Sequence, residues 1–297
     1  MASLNILVTG AKGQLGSSIR KIVEENNLSD RYFFTDIDEL DICDIEAVSN
    51  FVRDNNIDVV INCAAYTNGD TAEEADQRDI VYMINSEAPG NLAKVMAERD
   101  GILIHISTDY VFGGNFNNTP CTEEQMPNPT GVYGMSKLAG EKEIADTKCK
   151  AIILRTAWLY SEYGKNFVKT MLNLASSRPE LSVVFDQCGT PTYAGDLAEA
   201  IIDILTKRKF NGKEGIYHYS NEGVCSWFDF TKQIAQLSGI ENCRILPCHS
   251  NEFVSKVKRP AYSVLDKTKY KKTFGKDVPY WTDSLKKCLG LLASRTV

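Results

Sequence analysis

Tyr133 and Lys137 stand four residues apart in NPTGVYGMSKLAGEKEI, residues 128–144, a run with helical character that follows a Pro/Gly-rich loop. Residues i and i+4 share one face of a helix, with Cβ atoms ~5–6 Å apart. A free phenol titrates near ~10 and is a reluctant proton donor at neutral pH. A neighbouring ammonium favours phenolate, and bringing the phenol to about pH 7 takes ~4 kcal/mol of differential interaction. General acid catalysis works best with a donor matched to the operating pH, so the pair reads as an acid and its helper. Taken alone the spacing is common, and it equally describes a buried tyrosine beside an exposed lysine. Order along the chain strengthens the chemical reading: a glycine turn comes first, then HISTDYVFGG, then Tyr-x-x-x-Lys. Ser107 and Thr108 close an apolar strand, which puts Thr108 beside Tyr133 as a hydrogen-bond partner for a substrate carbonyl. Its plain alternative is a hydroxyl bonded to local backbone.

The glycine turn is LVTGAKGQLGSSI, with Gly10, Gly13 and Gly16 at three-residue spacing between a strand and a helix. In the first strand–turn–helix of an alternating series, such glycines serve a tight turn, close approach to a pyrophosphate, and helix-on-strand packing. The following helix start, Gln14 and Leu15, offers free N–H groups and the positive end of a dipole to phosphates. Asp36 ends the second strand, twenty residues past Gly16, where an acid binds ribose hydroxyls and disfavours a 2′-phosphate. Lys12 points the other way, because it is a partner for that same phosphate. The cofactor expected is therefore NADH or NADPH, transiently bound, with the choice open between them.

These residues need a frame. LNILVTG, RYFFTD, DVVINCAA, GILIHISTDYVF and KAIILRTAWLY read as strands. Between them lie helical stretches such as QLGSSIRKIVEEN, DIEAVSNFVRDNN and DIVYMINSEAPGNLAKVMAERD. Such alternation means βαβ units, and near-continuous apolar strands mean a parallel sheet covered on both faces. The expected class is α/β, a Rossmann-like doubly wound parallel sheet with a smaller C-terminal substrate domain. We set the first domain at 1–160, with a possible return segment near 191–207 (PTYAGDLAEAIIDILTK), and the second at 161–297. The second half carries helices GKNFVKTMLNLASSRP and WFDFTKQIAQLSG, short strands LSVVFD and GIYHYS, and a loop, VSKVKRPAYSVLD.

Composition narrows the classes further. The chain of 297 residues is 43% hydrophobic and 24% charged, and length and balance suit one large or two moderate globular domains. A formal net charge of −6 leaves no cation excess to neutralise phosphates, which argues against nucleic-acid binding. No apolar run reaches membrane-span length, and MASLNILVTG reads as a strand entering a turn, not a secretory leader. Nine cysteines without a CxxC pair read as reduced thiols in a cytoplasmic protein. Three dispersed histidines make His-centred metal or nucleophilic chemistry improbable.

Seven segments together resemble one family. TGAKGQLG, INCAAYTNGDTAEEA, ISTDYVFGG, PTGVYGMSKLAGEK, RTAWLYSEYGKNFVKTML, DQCGTPTYAGDLA and RPAYSVLD are similar to the dTDP-4-dehydrorhamnose reductases, of the extended short-chain dehydrogenase/reductase superfamily. The likeness runs over nearly the whole chain. The glycine turn and Tyr-x-x-x-Lys mark only the superfamily, whereas STDYVF, RTAWLY and DQCGTPT are more specific. The resemblance implies the last step of dTDP-L-rhamnose synthesis, in which NAD(P)H reduces C4 of dTDP-4-dehydro-β-L-rhamnose and Tyr133 protonates the alkoxide. It implies that Lys137 holds the nicotinamide ribose and lowers the tyrosine pKa, with Thr108 completing the triad. Ala64 and Ala65 correspond to cofactor-lining backbone, and Asp41 and Ile42 fall where the family contacts adenine. Thr67, Tyr110 and Trp158 match the substrate cleft. We add Asn166 and Arg259 as contacts for sugar and diphosphate, since arginine matches phosphate with a two-pronged fork. Core aromatics and a surface charge are the plain readings of Trp158, Tyr110 and Arg259.

Two departures stand out. Gly69 occupies a position where many relatives carry valine, which implies looser sugar packing. Ser18 replaces an acid with which some relatives bind a divalent cation at a dimer contact. No metal site is therefore expected, and a homodimer remains an open possibility. Two other readings share the fold: an epimerase or dehydratase that retains its NAD, with Asp109 beside Thr108, and a non-catalytic regulatory subunit.

Overall fold

Burial of apolar strands on both faces dictates the architecture. The computed structural model describes residues 3–253 and 256–295, so the first two residues of the expected loop 254–266 lie outside the described residues. Strands β1 (Asn5–Thr9), β2 (Arg31–Phe34), β3 (Val59–Asn62), β4 (Ile102–Thr108) and β5 (Lys150–Thr156) form one parallel sheet with a sixth strand, Gly215–His218. Its spatial order is Gly215–His218, β5, β4, β3, β1, β2. The chain leaves β1 for β2 on one side and returns to β3 on the other. That reversal opens a crevice beyond the carboxyl ends of β1 and β3, where sheets of this kind bind ligands.

Each face of the sheet has its own core. Helix α1 (Gln14–Asn26) and the helix Ala194–Thr206 cover one face, where Ile6, Val8, Ile19, Leu197 and Ile201 are fully buried. On the other face, α2 (Ile45–Asp54) and the helices Ala88–Glu98 and Val132–Asp146 bury Leu7, Val48, Val60, Leu92 and Met96. Ala194–Thr206 is apolar nearly all round, as a helix packed on more than one side must be.

The second lobe is built on aromatics. Trp158, Phe167, Trp227, Phe230 and Trp281 pack around Tyr160 and Tyr193, over small strand pairs such as Glu180–Val184 with Arg244–Cys248. Its chain does not stay apart from the first lobe. The strand Gly215–His218, read from sequence as part of the second domain, pairs with β5 in the main sheet, and Ala194–Thr206 lies against α1. The division at residue 160 therefore does not separate two independent chains of contacts. Among the described residues, no helix is long and apolar enough to cross a membrane.

The long helix expected over 79–100 carries a wide turn at Met83–Glu87, between Arg78–Tyr82 and Ala88–Glu98. Asn85 explains it. Its side chain accepts from Tyr66 N–H at 2.9 Å and donates to Tyr66 C=O at 3.0 Å and to Ser136 Oγ at 3.1 Å. A buried amide needs such partners, and the widened turn aims Asn85 at the helix that carries Tyr133.

Candidate active site

The glycine turn is shaped for close backbone approach. Gly10 has φ +61°, and a Cβ there would lie 2.6 Å from Ala64 N, so only glycine fits between β1 and the end of β3. A Cβ on Gly16 would lie 2.5 Å from the Gly10 carbonyl, which lets α1 seat directly on the turn. No side chain caps α1 and no acid occupies its first turn, so Gly13, Gln14, Leu15 and Gly16 present an open helix N-terminus. The Leu15 side chain is buried in the core, leaving its backbone for this purpose.

A cleft of about 370 Å³ opens beside the turn. Gly10, Lys12, Gly13, Asp36, Asp41, Ile42, Ala64 and Ala65 line it, together with Ile37, Leu40, Cys63 and Ile84, which sequence reasoning missed. Ile37 is 67% exposed and sits on the cleft wall. An apolar residue in the acidic turn DIDELD was the available signal. Asp36 accepts from the N–H of Lys12 at 2.9 Å and of Ile37 at 3.0 Å. The Lys12 ammonium pairs with Asp38 at 2.7 Å and Glu39 at 3.3 Å. Those acids raise the lysine pKa above its ordinary value.

Tyr133 and Lys137 both turn toward the carboxyl end of β4. Tyr133 is half-buried and packs edge-on against Tyr110, with ring centroids 5.4 Å apart. Burial pushes its phenol above the usual range; the facing Thr108 hydroxyl opposes this, while nearby Asp109 and Tyr110 reinforce it. Thr108 donates to Asp109 at 3.2 Å. Lys137 is 2% exposed, and burial lowers its ammonium to about 8, with Glu141 pulling the other way. It donates to the Ile106 carbonyl at 2.7 Å and faces His105 Nε2 at 3.2 Å. The expected lowering of the Tyr133 pKa is not seen: burial outweighs the opposing Thr108 hydroxyl and holds the phenol above its ordinary range, while Lys137 is bonded to β4.

What fixes this helix went largely unread in the sequence. Val132 N–H at the first turn donates to Glu73 at 2.7 Å, putting an acid on the helix's positive end. One turn past Lys137, Glu141 receives Arg155 Nε at 2.9 Å and Nη2 at 2.6 Å, both partners being buried, and also the Ser107 hydroxyl. A Glu four residues after Lys137 and a lone Arg inside AIILRTAW were the traces of this pair.

The expected substrate residues fall in two groups. Tyr110 borders Tyr133, and the Arg259 guanidinium bonds its hydroxyl; burial nevertheless raises that phenol to about 12. Arg259 also donates to Asp70 at 3.0 Å. Thr67 is exposed in the segment after β3. Trp158 has a left-handed backbone, φ +48°, a strain of ~1–3 kcal/mol for a bulky residue. It stacks on Trp227 at 3.5 Å, a partner not foreseen. Asn166 is engaged elsewhere: its amide donates to Gln14 Oε1 at 2.9 Å and to the Ser161 carbonyl at 2.8 Å, and its oxygen caps Lys169 N–H. It staples the second lobe to α1, which leaves its amide no N–H for a sugar.

Residues 4–294 match the model of the RmlD substrate binding domain family. A protein named dTDP-4-dehydrorhamnose reductase from Aggregatibacter actinomycetemcomitans is 39% identical, over 95% of this chain and 97% of that one. The chain belongs to the dTDP-4-dehydrorhamnose reductase family. A structure bearing that name from Clostridium acetobutylicum superposes with a TM-score of 0.91 at 41% identity, over 98% of this chain and 100% of the other. One from Bacillus anthracis, in complex with NADP, gives 0.88 at 35% identity over the same shares. Family membership accounts for the whole length of the likeness, second lobe included.

Proposed function

We propose that this chain reduces the C4 ketone of dTDP-4-dehydro-β-L-rhamnose to dTDP-L-rhamnose with NADH or NADPH, as the last step of dTDP-rhamnose biosynthesis in the cytoplasm. The observation that carries the reading is the placing of Thr108, Tyr133 and Lys137 about the carboxyl end of β4, the strand next to β3, past whose end Ala64 and Ala65 line the glycine-turn cleft.

The cleft fits a dinucleotide. A Cβ at Gly10 would fill the passage to Ala64, and the uncapped α1 N-terminus offers N–H groups to a pyrophosphate. Gly10, Lys12, Gly13, Gln14, Leu15 and Gly16 would hold the phosphates. Asp36, Asp41 and Ile42 would hold the adenosine end, with Ala64, Ala65, Tyr133 and Lys137 toward the nicotinamide. When bound, the cofactor supplies the hydride that reaches C4 of the sugar.

The chain's own residues manage the proton. Thr108 and Tyr133 hydrogen-bond the C4 oxygen. As negative charge grows there, Tyr133 gives up its phenolic proton, and the phenolate is reprotonated from solvent. A phenol held above its ordinary pKa is a weak acid toward water but an effective donor to an alkoxide, which is far more basic. Lys137 holds the ribose hydroxyls. Arg259 and Tyr110 border the sugar nucleotide, with Trp158 and Trp227 forming an aromatic wall beyond. Asp109, which a dehydratase would use as an acid, is 1% exposed and bonded by Thr108, so its carboxyl lies under the site.

The test is a coupled assay with the 4-keto sugar and either cofactor. Stoichiometric oxidation of NADH or NADPH, with no tightly held nicotinamide in the purified protein, is the expected result. Retained NAD and no net cofactor consumption would mean an epimerase or dehydratase instead.

A further inference from the structure

A chain of buried polar groups runs beneath the site and ends on Lys137. Thr9 Oγ1 donates to Asn62 Oδ1 at 2.7 Å, and Ala64 N–H donates to the same oxygen at 3.2 Å. Asn62 Nδ2 lies 3.1 Å from His105 Nδ1, and His105 Nε2 lies 3.2 Å from Lys137 Nζ. Asn62 and His105 are fully buried.

The donors and acceptors can be assigned from one end. A backbone N–H only donates, so Ala64 fixes which end of the Asn62 amide is oxygen. The amide nitrogen must then face His105 Nδ1, which accepts. A neutral ring that accepts at Nδ1 carries its proton at Nε2. Burial keeps His105 neutral, holding its pKa well below the ordinary value, and the Lys137 charge works in the same direction. The resulting Nε2–H points at Lys137, where a protonated amine would oppose it donor to donor. A neutral amine fits: its lone pair accepts from His105, one N–H serves the Ile106 carbonyl, and one remains for the cleft.

We propose that His105 is a positioning residue whose ring, fixed by Asn62 with its proton on Nε2, disfavours the charged form of Lys137 and so sets the pH at which Lys137 loses its charge. The other titratable groups around Lys137 are Glu141 on its own helix, pinned by Arg155 of β5, Tyr133 one turn earlier, and Asp109 beyond β4. Of these, Glu141 favours the charged amine, and its bidentate bond to Arg155 largely offsets it. The catalytic consequence rests on the reductase reading above; the proton assignment does not.

Two measurements test it. In the 15N NMR spectrum of the full, cofactor-free chain at pH 7, His105 is expected to show a bare Nδ1 and a protonated Nε2. A protonated Nδ1, or an imidazolium, overturns the assignment whatever the enzyme's activity. In kinetics, His105→Gln lets an amide oxygen turn toward Lys137. Its alkaline limb in kcat/KM should then move up by about one pH unit, because kcat/KM reports groups of the free enzyme. An unmoved limb, with kcat and KM merely scaled, would assign His105 a packing role only and defeat the proposal. Absence of reductase activity in the parent would overturn the function and leave the NMR result standing.

Discussion

In the proposed reaction Tyr133 is the proton donor, and its removal makes the sharpest prediction. Tyr133→Phe is expected to lower kcat by ~10²–10⁴, the usual worth of general acid catalysis, while the Kd for NADH or NADPH, measured by fluorescence titration, stays within twofold. Lys137 makes a different one. Its folded-state pKa, lowered by burial to about 8, lies below the ordinary lysine value of 10.5. Between those values the unfolded chain binds the extra proton, so this group makes stability rise with pH across that window. The stability difference between parent and Lys137→Met, from urea midpoints, should therefore grow in the parent's favour from pH 8 to 10. The Tyr-x-x-x-Lys pair was legible in the sequence because period and order announce it. The burial that sets both pKa values was not, since it depends on β4 and the turn after it, which are distant in the chain. Asn166 shows the same limit: its residue type suited a sugar contact, but the cap and the bond to Gln14 engage it.

Secondary-structure elements carry the site through their ends and their pins. The helix Val132–Asp146 is held to β5 by the Glu141–Arg155 pair, and breaking a buried pair on one side leaves a charge without its partner. Glu141→Gln should destabilise the protein by ~3–5 kcal/mol, read from chemical denaturation, and lower kcat through displacement of Tyr133. The acidic turn after β2 is expected to govern cofactor choice. Lys12, which sequence left as a phosphate partner, is already paired with Asp38 and Glu39, and Asp36 lines the cleft beside it. We expect kcat/KM to favour NADH over NADPH. Replacing both Asp38 and Glu39 with alanine frees the ammonium and should move the ratio toward NADPH by about tenfold or more, which a two-cofactor assay would detect. The glycine turn and most helix limits were readable from local pattern. The wide turn at Met83–Glu87 was not, because its cause, the bonds of Asn85 to Tyr66 and Ser136, is tertiary.

At the scale of the whole molecule, the two lobes share a sheet. The sixth strand and the helix over α1 come from residues 194–218, so a fragment ending at 160 lacks both an edge of the sheet and the cover of one core. Such a fragment should show no cooperative thermal transition by circular dichroism, whereas the full chain should. The α/β class and parallel order follow from the alternation of apolar strands and helices. The pairing of Gly215–His218 with β5 does not, because GIYHYS has the same local character whether it joins the large sheet or a small one.

Gln14 joins these scales. Its backbone belongs to the first turn of α1, while its side chain accepts from Ser161 and Asn166 and reaches the Leu159 carbonyl. If the Gln14 backbone holds a cofactor phosphate as proposed, these bonds tie it to the segment beside the stacked indoles of Trp158 and Trp227. Emission from that indole couple is then expected to respond to nucleotide docking before any sugar is added.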